Sequence, residues 1–125
     1  MKRKSVGYFD GIDSAVLTSL ICDGFDTIPI SNGFDNYGPH VRYLNEETKV
    51  DLLMGYLHKI YAPEDVETQI EDVFHICHTY QIPLLVIVPA ELHTRALEKI
   101  AGHPPEVQLV DPSQILETAR QILKG

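Results

Sequence analysis

Residues 8–31 read YFDGIDSAVLTSLICDGFDTIPIS, and the turn inside this stretch decides the fold. Apolar residues run up to Phe9, the chain bends through Asp10-Gly11, and an apolar segment follows at once. Residues 4–9 fit a short strand ended by that turn signal. Residues 14–22 fit a helix, with Asp13 as its N-cap and Gly24 as a left-handed stop. Residues 26–31 fit a second strand, closed by Asn32-Gly33. Pro29 cannot donate to a strand ladder, so this strand is expected at a sheet edge. A strand–helix–strand unit this compact implies a parallel pair with a crossover helix.

The same rhythm continues downstream. Residues 32–49 are less regular, with a short helix expected near 39–44. Residues 50–61 fit two readings. Val50, Leu53, Met54, Leu57, Ile60 and Tyr61 recur at helical spacing, whereas VDLLMGYL also reads as a buried strand ended by glycine. A strand at 51–56 is preferred because it keeps strands and helices alternating. Residues 63–80 read as one helix, with Pro63 first, Glu64 and Asp65 at its positive end, and Val66, Ile70, Val73, Phe74 and Cys77 as its core stripe. LLVIV at 84–88 is the plainest buried strand. Residues 90–101 read as a helix ended by Gly102, with His93 on its inward side among Leu92, Ala96, Leu97 and Ile100. Residues 107–110 form a strand, and Asp111-Pro112 caps a final helix. The expected fold is one α/β domain over residues 1–125. It is a three-layer sandwich with a mostly parallel sheet of four or five strands, Rossmann-like or flavodoxin-like.

Composition narrows the function. The chain has 125 residues and a formal net charge of −8. An acidic surface repels phosphate backbones, which argues against nucleic-acid partners. No apolar run approaches the ~20 residues of a membrane span, and the N-terminus lacks a signal-peptide core. Cys22 and Cys77 fall inside predicted helices and read as buried hydrophobes, so a cytoplasmic protein is expected. Of the six histidines, His75 and His78 lie one turn apart as a solvated pair. No Walker loop, GxGxxG, GxSxG or HExxH occurs.

Ligands of open parallel sheets bind beyond the carboxyl ends of the strands. The candidates there are Asp10, Gly11, Asp13 and Ser14 after the first strand, and Asn32 and Asp35 after the second. His58 with Lys59, His93 with Glu91, and Asp111 follow the later strands. Gly11 lets backbone approach a ligand, and the helix start at Ser14 offers amide donors to an anion. Asp10 and Asp13 repel a bare phosphate, and a bridging Mg²⁺ reconciles them. FDNYGPH at 34–40 offers rings and amides to a base.

The order strand, Phe9-Asp10-Gly11-Ile12-Asp13-Ser14, helix, strand resembles the opening of the ATP pyrophosphatase family, whose PP-loop signature is SGGxDS. The second glycine, the aspartate and the serine match, while Phe9 and Asp10 stand in place of the first serine and glycine. The resemblance covers residues 5–31. It implies a nucleotide or phosphate ligand, with Mg²⁺, on a loop that includes Phe9. DHH phosphoesterases also place aspartates after the first strand, although no Asp-His-His triplet occurs here. Three functions stand open: a nucleotide- or phosphate-ligand-binding protein, a non-enzymatic interaction or regulatory subunit capable of homo-oligomer formation, and a metal-dependent phosphoesterase.

Overall fold

The structure is a computed structural model and describes residues 3–33, 38–64 and 66–125. Met1, Lys2, residues 34–37 and Asp65 lie outside it, so the expectations for Asp35, Asp65 and most of the 34–40 loop do too. In chain order the elements are β1 (Ser5–Tyr8), α1 (Ser14–Cys22), β2 (Asp26–Pro29), β3 (Leu52–Tyr56), α2 (Leu57–Ile60), α3 (Ile70–Tyr80), β4 (Leu84–Ile87), α4 (His93–Lys99), β5 (Val107–Val110) and α5 (Ile115–Lys124). Short 3₁₀ turns occupy Val41–Tyr43, Ala90–Leu92 and Pro112–Gln114.

The strands form one parallel sheet in the order β2-β1-β3-β4-β5. This is the flavodoxin-like order of a doubly wound sheet. β2 lies at the edge, where Pro29 costs no ladder bond on a central strand. Residues 50–61 resolve into both of their readings in succession. Leu52–Tyr56 is a central strand, and the helical spacing of Leu57, Ile60 and Tyr61 belongs to the single turn that follows.

Period-two alternation sends successive side chains to opposite faces. Leu53, Leu84, Val86 and Phe9 pack with Val73, Phe74 and Cys77 of α3 and Ala96 of α4. Leu52, Met54, Leu85 and Ile87 pack with Leu20 of α1 and Ile115, Ala119 and Leu123 of α5. The result is a three-layer α/β sandwich. Each buried Leu or Ile contributes roughly 1.5–3 kcal/mol, so the two cores carry the fold. An Arg120–Asp23 pair at 2.6 Å ties α5 to the end of α1.

Three expectations are corrected. The helix expected over 63–80 starts only at Ile70. There the Asp72 carboxylate accepts the Gln69 N–H at 2.8 Å, and the Gln69 side chain donates to the Pro63 and Val66 carbonyls. That set of bonds holds the preceding residues in a turn, and Thr68 is buried with its hydroxyl 3.3 Å from His40 Nε2. Val66 is accordingly half-buried and not part of the core stripe. Cys22 is exposed, because it ends the helix on the outer side, while Cys77 is buried. Leu92 and Leu97 are 40% and 43% exposed, while Ala96 and Ile100 are buried.

Among the described residues, no helix is long and apolar enough to cross a membrane. His78 Nδ1 lies 2.8 Å from Glu106 Oε1, so the second imidazole of HICH anchors α3 to the start of β5.

Candidate functional site

The strand order reverses between β1 and β3, which makes the crevice beyond their carboxyl ends the place where this architecture accepts ligands. Asp10 and Gly11 enter it from β1. Gly11 adopts φ +96°, a conformation that favours glycine. A Cβ there would lie 3.6 Å from Lys59 Cε and 3.9 Å from Tyr56 Cδ2. Asp10 is exposed, with a carboxylate oxygen 3.7 Å from Lys59 Nζ. Asn32 is fully buried and donates through Nδ2 to the Lys59 carbonyl at 2.9 Å, which fixes the end of β2 to the turn after β3. The fold therefore gathers Asp10, Gly11, Asn32 and Lys59 at the switch point, with His58 next to them in sequence. The His58 ring packs against Tyr56 at a centroid distance of 5.7 Å.

The helix mouth beside this crevice is largely satisfied from within. Asp13 caps α1 through Oδ1, which accepts the Ala15 N–H at 2.8 Å. Its carbonyl accepts the Val16 and Leu17 N–H groups at 3.0 and 3.3 Å. Ser14 is exposed at the first helical position. Ile12 packs with the core beneath α1 and α5. Phe9 is fully buried in the opposite core. The resemblance placed Phe9 on a phosphate loop; strand alternation instead carries it to the α3 side, away from α1.

The Asp10 carboxylate faces an ammonium, and the Asp13 carboxylate holds a helix amide. Among the described residues, no group of three or more His, Cys, Asp or Glu side chains is placed to hold a metal. Asp13→Ala is expected to cost about 1 kcal/mol, the usual worth of an N-cap. Urea denaturation measures this, and an unchanged midpoint would remove the cap assignment.

His93 and Asp111 lie at the carboxyl ends of β4 and β5 and make bonds within the fold. His93 Nε2 lies 2.7 Å from the Val88 carbonyl oxygen, so that nitrogen carries the proton and donates. Asp111 accepts the Ala90 N–H at 2.7 Å and the Ser113 N–H at 3.0 Å. These bonds, with that of the Ser113 hydroxyl first among them, hold its carboxyl below the usual aspartate range.

A different feature occupies the carboxyl edge beyond β3, β4 and β5. A hollow of about 620 Å³ is bounded by Tyr56, Leu57, Tyr61, Val88, Leu92 and Pro112, and its walls are mainly apolar. A second hollow of about 610 Å³ adjoins it along α4 and shares Leu57, Val88, Leu92 and Lys99. Tyr61 is 46% exposed and Leu92 40% exposed at its rim.

No family model and no curated protein matches this chain. Among solved structures, the crystal structure of an AraC family transcriptional regulator from Pseudomonas putida is similar, with a TM-score of 0.47 and 10% identity. The match covers 97% of this chain and 92% of that one.

Sequence reasoning missed the apolar trough. Its residues carry no catalytic signature, and Leu92 read as inward by helical phase. The available signal was Tyr61, an aromatic two residues beyond the polar pair His58-Lys59 and shortly after a strand end.

Proposed function

We propose that this chain is a non-catalytic interaction domain, acting as a regulatory module in the cytoplasm and docking a partner in the trough along α4. One observation carries this reading: large apolar side chains, Tyr61 and Leu92, stand exposed around a continuous apolar hollow at the carboxyl edge of the sheet. Clustered exposure of this kind marks interaction surfaces in soluble proteins. A small-molecule site also needs a few converging polar groups to orient its ligand. Here the polar side chains of the lining are His58, Lys99 and the hydroxyls of Tyr56 and Tyr61, set in a mainly apolar wall. Cys77 does not serve as a nucleophile, because burial pushes its thiol up to about 12.

A second reading, a nucleotide or phosphate ligand at the switch point, draws on the open backbone at Gly11 beside Lys59. One pair of measurements separates the two. Under the interaction reading, a naphthalene sulfonate dye brightens with the native protein, and Leu92→Asp removes the signal without changing the circular dichroism spectrum. ATP or AMP, with or without Mg²⁺, then leaves the melting temperature unmoved. A nucleotide-dependent rise in melting temperature, abolished by changing Lys59, would overturn that reading in favour of the second.

A further inference from the structure

The charges lining the trough run against those of the whole molecule. The chain carries 18 acidic and 10 basic residues. The charged lining of the two hollows is Arg95 and Lys99 against Glu98, with His58 beside them. The lining therefore carries two cations against one carboxylate in a chain that is acidic as a whole, and complementary potentials steer and select partners. The shape narrows the occupant further. The two hollows share Leu57, Val88, Leu92 and Lys99 and so lie side by side along α4. A chain segment with a continuous apolar stripe fills both, as amphipathic helices do in apolar grooves.

We propose that the trough formed by Leu57, Tyr61, Val88 and Leu92, with Arg95 and Lys99 on its rim, seats an acidic amphipathic helix of a partner protein. This rests on the reading of the chain as an interaction domain. The apolar stripe of the helix lies on Leu57, Val88 and Leu92. Its carboxylates face Arg95 and Lys99, whose long stems also cover apolar surface. The rest of the acidic surface repels the helix in other orientations, which fixes where it docks.

The test uses the full chain and two synthetic helices. One is built from Leu, Ala and Glu, and the other carries Lys at every Glu position. Amide resonances of Val88, Leu92 and Tyr61 report the site. The acidic helix is expected to shift them and to bind roughly tenfold or more tightly than the basic one. The double variant Arg95→Glu/Lys99→Glu is expected to erase that preference, and added salt to weaken it. All the substituted side chains are exposed, and the dispersion of the remaining resonances checks folding. If the basic helix binds the trough as well or better, the acidic partner is wrong while the interaction domain stands. If neither helix shifts the trough, both readings fall. If sedimentation shows a dimer that Leu92→Glu dissociates, the occupant is a second copy and the proposal is overturned.

Discussion

Phe9→Ala is expected to lose about 3–5 kcal/mol of unfolding free energy, the range for truncating a buried aromatic. Domains are stable by only about 5–15 kcal/mol, so the variant sits close to unfolding. Strand parity accounts for the size of this loss. Val6 points to the core under α1 and α5, and Tyr8 packs on the same side. Phe9 continues the strand, donating its N–H to the Met54 carbonyl at 3.0 Å, and alternation sends its ring to the other core. No accessible surface remains on it. Phe9→Ser, which restores the first residue of the SGGxDS pattern, is expected to be no milder and to give no ATP-dependent rise in melting temperature. Urea denaturation at 25 °C measures both variants. A loss below about 1 kcal/mol for Phe9→Ala would mean that the ring is not part of a close-packed core.

The same residue shows where the sequence was legible and where it was not. Alternation of strands and helices was readable, because LLVIV, the Asp13 cap and the Gly24 stop are local signals. The edge position of β2 followed from Pro29 alone. The start of α3 was hidden because Pro63-Glu64 is a good helix opening. Only the reciprocal bonds of Gln69 and Asp72 with their neighbours delay it to Ile70. Which residues lie at the carboxyl ends of the strands was legible, since loop order at strand ends follows from topology. Their bonds were not, because a carboxylate that faces solvent and one pointing back into its own helix look identical in sequence. Asp13 does the latter, and Asp10 meets Lys59, a partner 49 residues away in the chain. The apolar trough was invisible for a related reason. Helical phase assigns Leu92 an inward face, yet it lies in a 3₁₀ turn, where the α-helical period does not hold.

Gly55→Ala carries the second large effect. Gly55 is a buried residue of β3 in ordinary extended conformation, so alanine meets no backbone strain there. The obstacle is space. A Cβ would sit 2.8 Å from Phe9 Cδ2, 3.0 Å from Phe9 Cβ and 3.1 Å from Ile60 Cδ1. The ring carbon yields by rotation, but Phe9 Cβ is fixed to the backbone of the neighbouring strand position. Relief therefore requires β1 and β3 to separate or Ile60 to leave its rotamer. Overpacking of this kind costs about 1–3 kcal/mol, against a gain of roughly 0.5–1 kcal/mol from replacing glycine in a strand. The net loss is expected at about 1–2 kcal/mol, and Gly55→Val is expected to lose more. The cause is tested by the double variant Phe9→Ala/Gly55→Ala. With the ring gone, the added methyl enters its void, and the combined loss falls short of the sum of the singles by about 1 kcal/mol or more. Strict additivity in urea denaturation would show that the two positions do not touch, and would sink the account of why glycine stands in the middle of this sheet.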